Sequence, residues 1–242
     1  MAQLEVRDLH VEFGGLRAVD GMDFDVEQGE VLCLLGPNGA GKSTTLDLIC
    51  GKTPPTGGSI QFQGAEISQM LEFQRARRGI GRKFQVPSVY KELTVSENLS
   101  VARSAKPGIL NALTSPSERR TQKSQNILDL VGLADKTGLP AGNLSHGETQ
   151  WLEIAMLIAQ NSSLILMDEP TAGMTIQETA RTADIFRSLS ENHTLIIVEH
   201  DMSFVRTVAD RIIVMNQGSK LAEGTIEEIE ANEAVKTAYL GH

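Results

Sequence analysis

One stretch constrains this chain more than any other. The apolar run "EVLCLLG" leads directly into "GPNGAGKST", Gly36 to Thr44, and then into a helical pattern, "KSTTLDLIC". The pattern G-x-x-x-x-G-K-[ST] is met in full, in the strand–loop–helix context that gives it meaning. Glycines at 36, 39 and 41 let the loop Gly36, Pro37, Asn38, Gly39, Ala40, Gly41 turn tightly, so that peptide N–H groups converge on phosphate oxygens. The helix starting near Lys42 adds the positive end of its dipole. Lys42 is expected to reach the β- and γ-phosphates and Ser43 to ligate Mg²⁺, with Thr44 in the same turn. A nearby "CGKT", Cys50 to Thr53, is a decoy: Leu46 stands where the first glycine should, and Gly51 reads as the stop of the helix.

Around this loop, short β-rich runs ("SIQFQG", "LILMDEP", "TLIIVEH", "RIIVMNQG") alternate with helical stretches such as "ETARTADIFRSL". That alternation predicts an α/β domain with a largely parallel sheet covered on both faces. Residues from about 87 to 160 break the rhythm with few strand signals, a loop rich in Pro, Gly and Ser, and then helices. They read as a helical subdomain inserted into a core of about 1–86 and 161–242. The acidic end of the chain reads as one or two amphipathic helices on the core. With 242 residues, one domain with a sizeable core is expected. The formal net charge of -9 disfavours a grip on nucleic acid, which needs clustered positive charge. Two cysteines inside apolar runs imply no disulfide scaffold. The first residues lack a secretory pattern, and apolar runs such as "VLCLL" fall far short of the ~20 residues that cross a bilayer. A soluble, cytoplasmic chain is expected, meeting membranes only through partners.

Two further strand ends carry acids or a histidine. "SSLILMDEP" closes on Asp168 and Glu169: the first can hold a metal through its water shell, and the second can orient and deprotonate a water. Glu169, one residue on, is expected on the other side of the strand line. "TLIIVEHD" brings His200 to the same edge of the sheet, if these two strands are neighbours joined by a helix at about 176–191. "NLSHGETQW" sets Ser145 beside His146 at a helix start, which raises a nucleophile–base reading. Adjacent residues rarely face each other, however, and no convergent acid or oxyanion hole accompanies them.

Together "GPNGAGKST", Gln85 in "GRKFQVPS", "LSHGE", "LILMDEP" and "VEHD" resemble, in order and spacing, the ATP-binding-cassette ATPases along essentially the whole chain. The resemblance implies a P-loop ATPase fold with a RecA-like core sheet, an N-terminal antiparallel β portion and the inserted helical subdomain. It implies ATP and Mg²⁺ as ligands, and two cassettes facing head to tail. Ser145 and Gly147 of one chain would then contact the ATP held by the other. Phe13 occupies the place of an aromatic that stacks on adenine, though its own context fits a core residue as well. Gln85 matches a residue that touches Mg²⁺ and the attacking water, Glu169 the catalytic carboxylate, and His200 a γ-phosphate contact. Ser43, Gln85 and Asp168 would serve the metal.

Three positions depart from the family pattern: His146 for glycine, Glu148 for glutamine, and Thr175 for aspartate. "FGGLRAVDGMDFDV", "LSHGETQWLEIAMLIAQ" and the terminal "AYLG" are similar to ATPase subunits of branched-chain amino-acid and urea importers, and "GRKFQ" with "LSHG…QWLEI" leans toward the urea branch. Implied partners are two membrane-spanning permeases, a second ATPase chain, identical or related, and indirectly an extracytoplasmic solute-binding protein. The chain would sit on the inner face of the cell membrane through its permeases. Val86, Pro87, Val89 and Tyr90 form an apolar loop suited to that docking, or a cap on the local core. Rival readings are a cassette acting on nucleic acid or ribosomes, which the acid excess disfavours, and a non-hydrolysing regulatory subunit, which the intact Lys42, Asp168, Glu169 and His200 disfavour.

Overall fold

A computed structural model describes residues 2–83, 89–104 and 117–240 of the chain. Two sheets organise it. An antiparallel sheet in the order β2-β1-β4-β5 is built from β1 (Leu4–Phe13), β2 (Leu16–Val26), β4 (Gly57–Phe62) and β5 (Ala65–Glu66). A six-stranded sheet runs β10-β9-β3-β8-β7-β6. Its members are β3 (Val31–Leu35), β6 (Ile80–Lys83), β7 (Leu164–Asp168), β8 (Thr194–Val198), β9 (Arg211–Asn216) and β10 (Ser219–Gly224). All neighbours in it pair parallel except β9 with β10. The expected α/β class with an N-terminal antiparallel portion is what the chain adopts. "SIQFQ" proves to belong to the antiparallel sheet rather than to the parallel one.

The central strands are uninterrupted apolar runs because both faces are covered. Alternation divides them cleanly. Val31, Cys33 and Leu35 of β3, Ile165 and Met167 of β7, and Leu195 and Ile197 of β8 join one core with the helices. Leu32, Leu34, Leu164, Leu166, Ile196 and Val198 join a second core with the antiparallel sheet and the first helix. Every residue of β3, β7 and β8 is buried. At about 25 cal/mol per Å² of apolar surface, each such Leu or Ile contributes roughly 1.5–3 kcal/mol.

The helices are α1 (Lys42–Cys50), α2 (Glu72–Arg78), α3 (Val95–Ser104), α4 (Ser117–Val131), α5 (His146–Ala159), α6 (Ile176–Ser190), α7 (Met202–Val208), α8 (Ile226–Ala231) and α9 (Glu233–Val235). Helix α1 ends on Gly51, whose left-handed φ of 84° closes it and disposes of the decoy "GKT". Helices α3 and α4 both pack on α5, and all three contribute to the same core as one face of the large sheet. The acidic end forms α8 and α9, anchored by Ile229 and Val235. Cys33 and Cys50 are free and buried. Among the described residues no helix is long and apolar enough to cross a membrane.

Strand β6, "IGRK", was not legible as a strand because two of its residues are charged. Both charges are paired inside the fold: Lys83 Nζ lies 3.6 Å from Glu153 of α5, and Arg82 reaches Asp47 of α1 and, at 3.8 Å, Asp168. Burial pushes the Lys83 ammonium below its ordinary pKa, with Glu153 opposing the shift.

Candidate functional site

Parallel strands gather functional groups at their carboxyl ends, outside the sheet. Strand β3 sits between β8 and β9, so the loop leaving it opens beside the ends of β7 and β8. Gly36 has φ 139°, and a Cβ there would lie 2.1 Å from the Met215 carbonyl oxygen; Gly41, at φ 99°, would meet Ala18 O at 2.4 Å. Gly39 has open space around it and is required only by its φ of 82°. Lys42 Nζ donates to the carbonyls of Gly36 and Pro37 at 2.7 and 2.9 Å, which folds the side chain back over the loop. Partial burial lowers the lysine's pKa, and the carboxylates of Glu169 and Asp168 oppose this. Ser43 and Thr44 occupy the first turn of α1, with Ser43 exposed.

Asp168 ends β7 and is buried, and among the described residues its Oδ1 has no hydrogen-bond partner. An orphaned carboxylate oxygen beside the Ser43 hydroxyl's turn fits a Mg²⁺ ion that keeps most of its waters and takes few protein ligands. The next residue departs from expectation. Glu169 does not continue the pleat: its φ is 47°, left-handed for a residue with a Cβ, so the turn and not strand alternation aims the side chain. A hydrogen bond from Glu169 N to Val198 O at 2.9 Å holds it. Its carboxylate lies 3.9 Å from His200 Nδ1, so the two strand ends do meet.

Sequence reasoning passed over the residue that arranges this meeting. Glu199 is 1% exposed. Its Oε1 accepts from Thr171 N and Oγ1 at 3.1 and 2.5 Å, and its Oε2 accepts from His200 N at 3.0 Å. One buried carboxylate thus ties the segment after β7 to the loop carrying His200. The only sequence signal was a charged residue at the end of an apolar strand. Arg82 was missed because β6, half of whose residues are charged, does not read as a strand.

Ser145 is the N-cap of α5. Its Oγ accepts from Glu148 N at 3.2 Å and donates to Glu178 Oε1 at 3.2 Å, and Glu148 returns a contact to Ser145 N at 3.0 Å. His146 Nε2 instead donates to Ala172 O at 3.0 Å, so Ser145 and His146 form no nucleophile–base pair. Gly147 is buried against the Glu178 carboxylate. The three departures from the family pattern each have a structural place: His146 ties α5 to the segment after β7, Glu148 completes a capping box and pairs with Lys136, and Thr175 caps α6. Hydrogen bonding to Lys136 and Ser145 N holds the Glu148 carboxyl below its usual pKa, against the desolvation that is its largest influence.

Phe13 ends β1 and is 50% exposed, so the core reading of that residue is set aside. It pairs with Leu16 across the Gly14–Gly15 turn, and the following strand passes against Gly41 at Ala18. Val89 packs on the core, whereas Tyr90 is 54% exposed. Gln85, Val86 and Pro87 lie outside the described residues. Immediately before them, a cleft of about 250 Å³ opens between α2, β6 and α5, lined by Glu72, Ala76, Lys83, Glu153 and Met156 among others.

Fold and loop together define a P-loop nucleotide-binding protein. A model of the ABC transporter family matches residues 19–172, and one for the branched-chain amino acid ATP-binding cassette transporter matches residues 219–242. The chain is 38% identical over 248 aligned residues to the high-affinity branched-chain amino acid transport ATP-binding protein LivG of Salmonella typhimurium, covering 98% of this chain and 97% of that protein. It is 38% identical over the same lengths to BraF of Pseudomonas aeruginosa, and 32% identical to a probable LivG of Archaeoglobus fulgidus over 100% of this chain and 96% of that one. The crystal structure of the ADP conformation of an ATP-binding cassette of an ABC transporter superposes with a TM-score of 0.87 at 29% identity, covering both chains fully. A nucleotide-free cassette gives 0.85 at 30% identity, also over both full chains. The chain belongs to the ABC transporter family, as an ATP-binding cassette and an ATPase.

Proposed function

We propose that this chain is the ATP-hydrolysing subunit of an importer for branched-chain amino acids, working at the inner face of the membrane through two permease chains and a second cassette. The observation that carries the hydrolytic part is the convergence of Lys42, Asp168, Glu169 and His200 where β3, β7 and β8 end. The loop from Gly36 to Thr44 would hold the triphosphate, with Lys42 turning from its own carbonyls to the β- and γ-phosphates. Phe13, exposed at the end of β1, would stack on the base. Ser43 and Asp168, with Gln85, would hold Mg²⁺, which supplies neutralisation of phosphate charge when bound. Glu169 would orient and deprotonate the attacking water, and His200, 3.9 Å away, would keep that carboxylate and the γ-phosphate in register.

Catalysis of this kind is positioning and electrostatics around a leaving phosphoryl group. The left-handed backbone at Glu169 fits such a role, since strained residues persist where surrounding structure fixes them for a task. Ser145 and the Gly147 N–H at the start of α5 would complete the site of a facing cassette. The substrate class follows the names of the relatives and the matched segment 219–242, which favour branched-chain amino acids over urea. The cleft between α2, β6 and α5, with exposed Tyr90 and the 87–160 helical subdomain, is the surface offered to the permeases. A solute-binding protein outside the membrane would act through those permeases. Glu169→Gln tests the central assignment: ATP binding should persist while turnover falls by about 10²-fold or more. Turnover near the wild-type value would remove Glu169 from the role.

A further inference from the structure

The start of α5 already holds an anion, and it comes from this chain. Glu178, in the first turn of α6, directs Oε2 to Thr175 N and Oγ1 at 2.9 and 3.0 Å, completing its own capping box. Its Oε1 accepts from Ser145 Oγ at 3.2 Å, and the Gly147 backbone lies close enough to help stabilise the carboxylate. Gly147 has ordinary helical backbone, yet a Cβ there would lie 2.5 Å from that same Oε1. The glycine is therefore needed to admit a close anion, and the carboxylate is what fills the room. Hydrogen bonds from Thr175, then from Ser145, with the Gly147 backbone close by, hold the Glu178 carboxyl below its ordinary pKa, so it is charged at neutral pH.

We infer that Glu178 is a further, selectivity-setting residue of the nucleotide site: its carboxylate occupies the Ser145–Gly147 anion position and must be displaced by the γ-phosphoryl group of a facing cassette's ATP. This deepens the reading of Ser145 and Gly147 as ligands in trans and rests on it. The Ser145 hydroxyl has one proton, and while Glu178 accepts it none is left for a phosphate. A carboxylate and a phosphoryl group carry like charge, so they do not share the position. ADP lacks the phosphoryl group that reaches across the seam and leaves Glu178 seated. ATP displaces it, and Oε2 can keep its Thr175 contacts through a rotation of the side-chain end, with α6 undisturbed. The intramolecular anion thus raises the ATP concentration needed for closure and sharpens the distinction between triphosphate and diphosphate.

Glu178→Gln keeps an oxygen acceptor for Thr175 and removes the charge. In the full chain assembled with its permeases, half-saturating ATP for turnover should fall by about five- to tenfold, with ADP affinity unchanged. Thr225→Ala, which weakens the equivalent cap on α8 and leaves Glu178 with all its contacts, should lower thermal stability without lowering half-saturating ATP. An unchanged or higher half-saturating ATP in Glu178→Gln overturns the inference. Ser145→Ala separates the two levels of the claim: it should lose turnover, and if it keeps wild-type turnover the trans-ligand reading itself fails.

Discussion

At the scale of single residues, the site depends on positions where substitution has no room. Gly36 combines a φ of 139° with a would-be Cβ 2.1 Å from a backbone oxygen of β9. Gly36→Ala should therefore destabilise by about 3 kcal/mol, from backbone strain plus displaced main chain. Thermal unfolding should show a midpoint lower by roughly 6–12 °C in a chain of this size, and ATP binding should be lost. The glycines and Lys42 were readable because the phosphate-binding loop fixes residue types at fixed offsets. Asp168, Glu169 and His200 were readable because each follows an apolar strand. Glu199 and Arg82 were not, since a buried charge reveals itself only through partners distant in sequence: Thr171 for one, Asp47 and Asp168 for the other. The aim of Glu169 was misjudged for a related reason. Strand alternation ends where φ turns positive, and nothing local announced that turn.

At the scale of elements, helix starts do more than begin helices. Ser145 with Glu148, Thr175 with Glu178, and Thr225 with Glu228 are three capping boxes of the same chemistry, and the first two face each other across the Ser145–Glu178 contact. Thr175 stands where the family pattern carries an aspartate, and as an N-cap it satisfies the same orphan N–H groups. Thr175→Ser should leave stability nearly unchanged. Thr175→Ala should cost about 0.5–2 kcal/mol, read as a lower unfolding midpoint by calorimetry. Long, periodic α5 and α6 and the apolar strands β3, β7, β8 and β9 were plain in the sequence. Strand β6 was hidden because half of its residues are charged, and only the ion pairs to α1 and α5 make it burial-competent. The same pairs connect the phosphate-binding helix, the Asp168 strand and the helix opened by Ser145, all immediately before Gln85.

At the scale of the whole molecule, the large sheet is a wall between two cores, and Lys42, Asp168, Glu169 and His200 gather along one rim of it. That rim was foreseeable from the alternation of strands and helices. The antiparallel placement of "SIQFQ" was not, because a short apolar run does not say which sheet it joins. The central claim is that the rim is half a site, with the start of α5 supplying the other half to a neighbouring cassette. Disulfide trapping tests it most directly. In the assembled transporter, a Glu169→Gln chain carrying Asn38→Cys and Ser145→Cys has no competing accessible thiol, because Cys33 and Cys50 are buried. With ATP and Mg²⁺, an intermolecular link between positions 38 and 145 should form rapidly, and with ADP it should not. A link that forms equally well with either nucleotide, or none with ATP, would contradict the shared site.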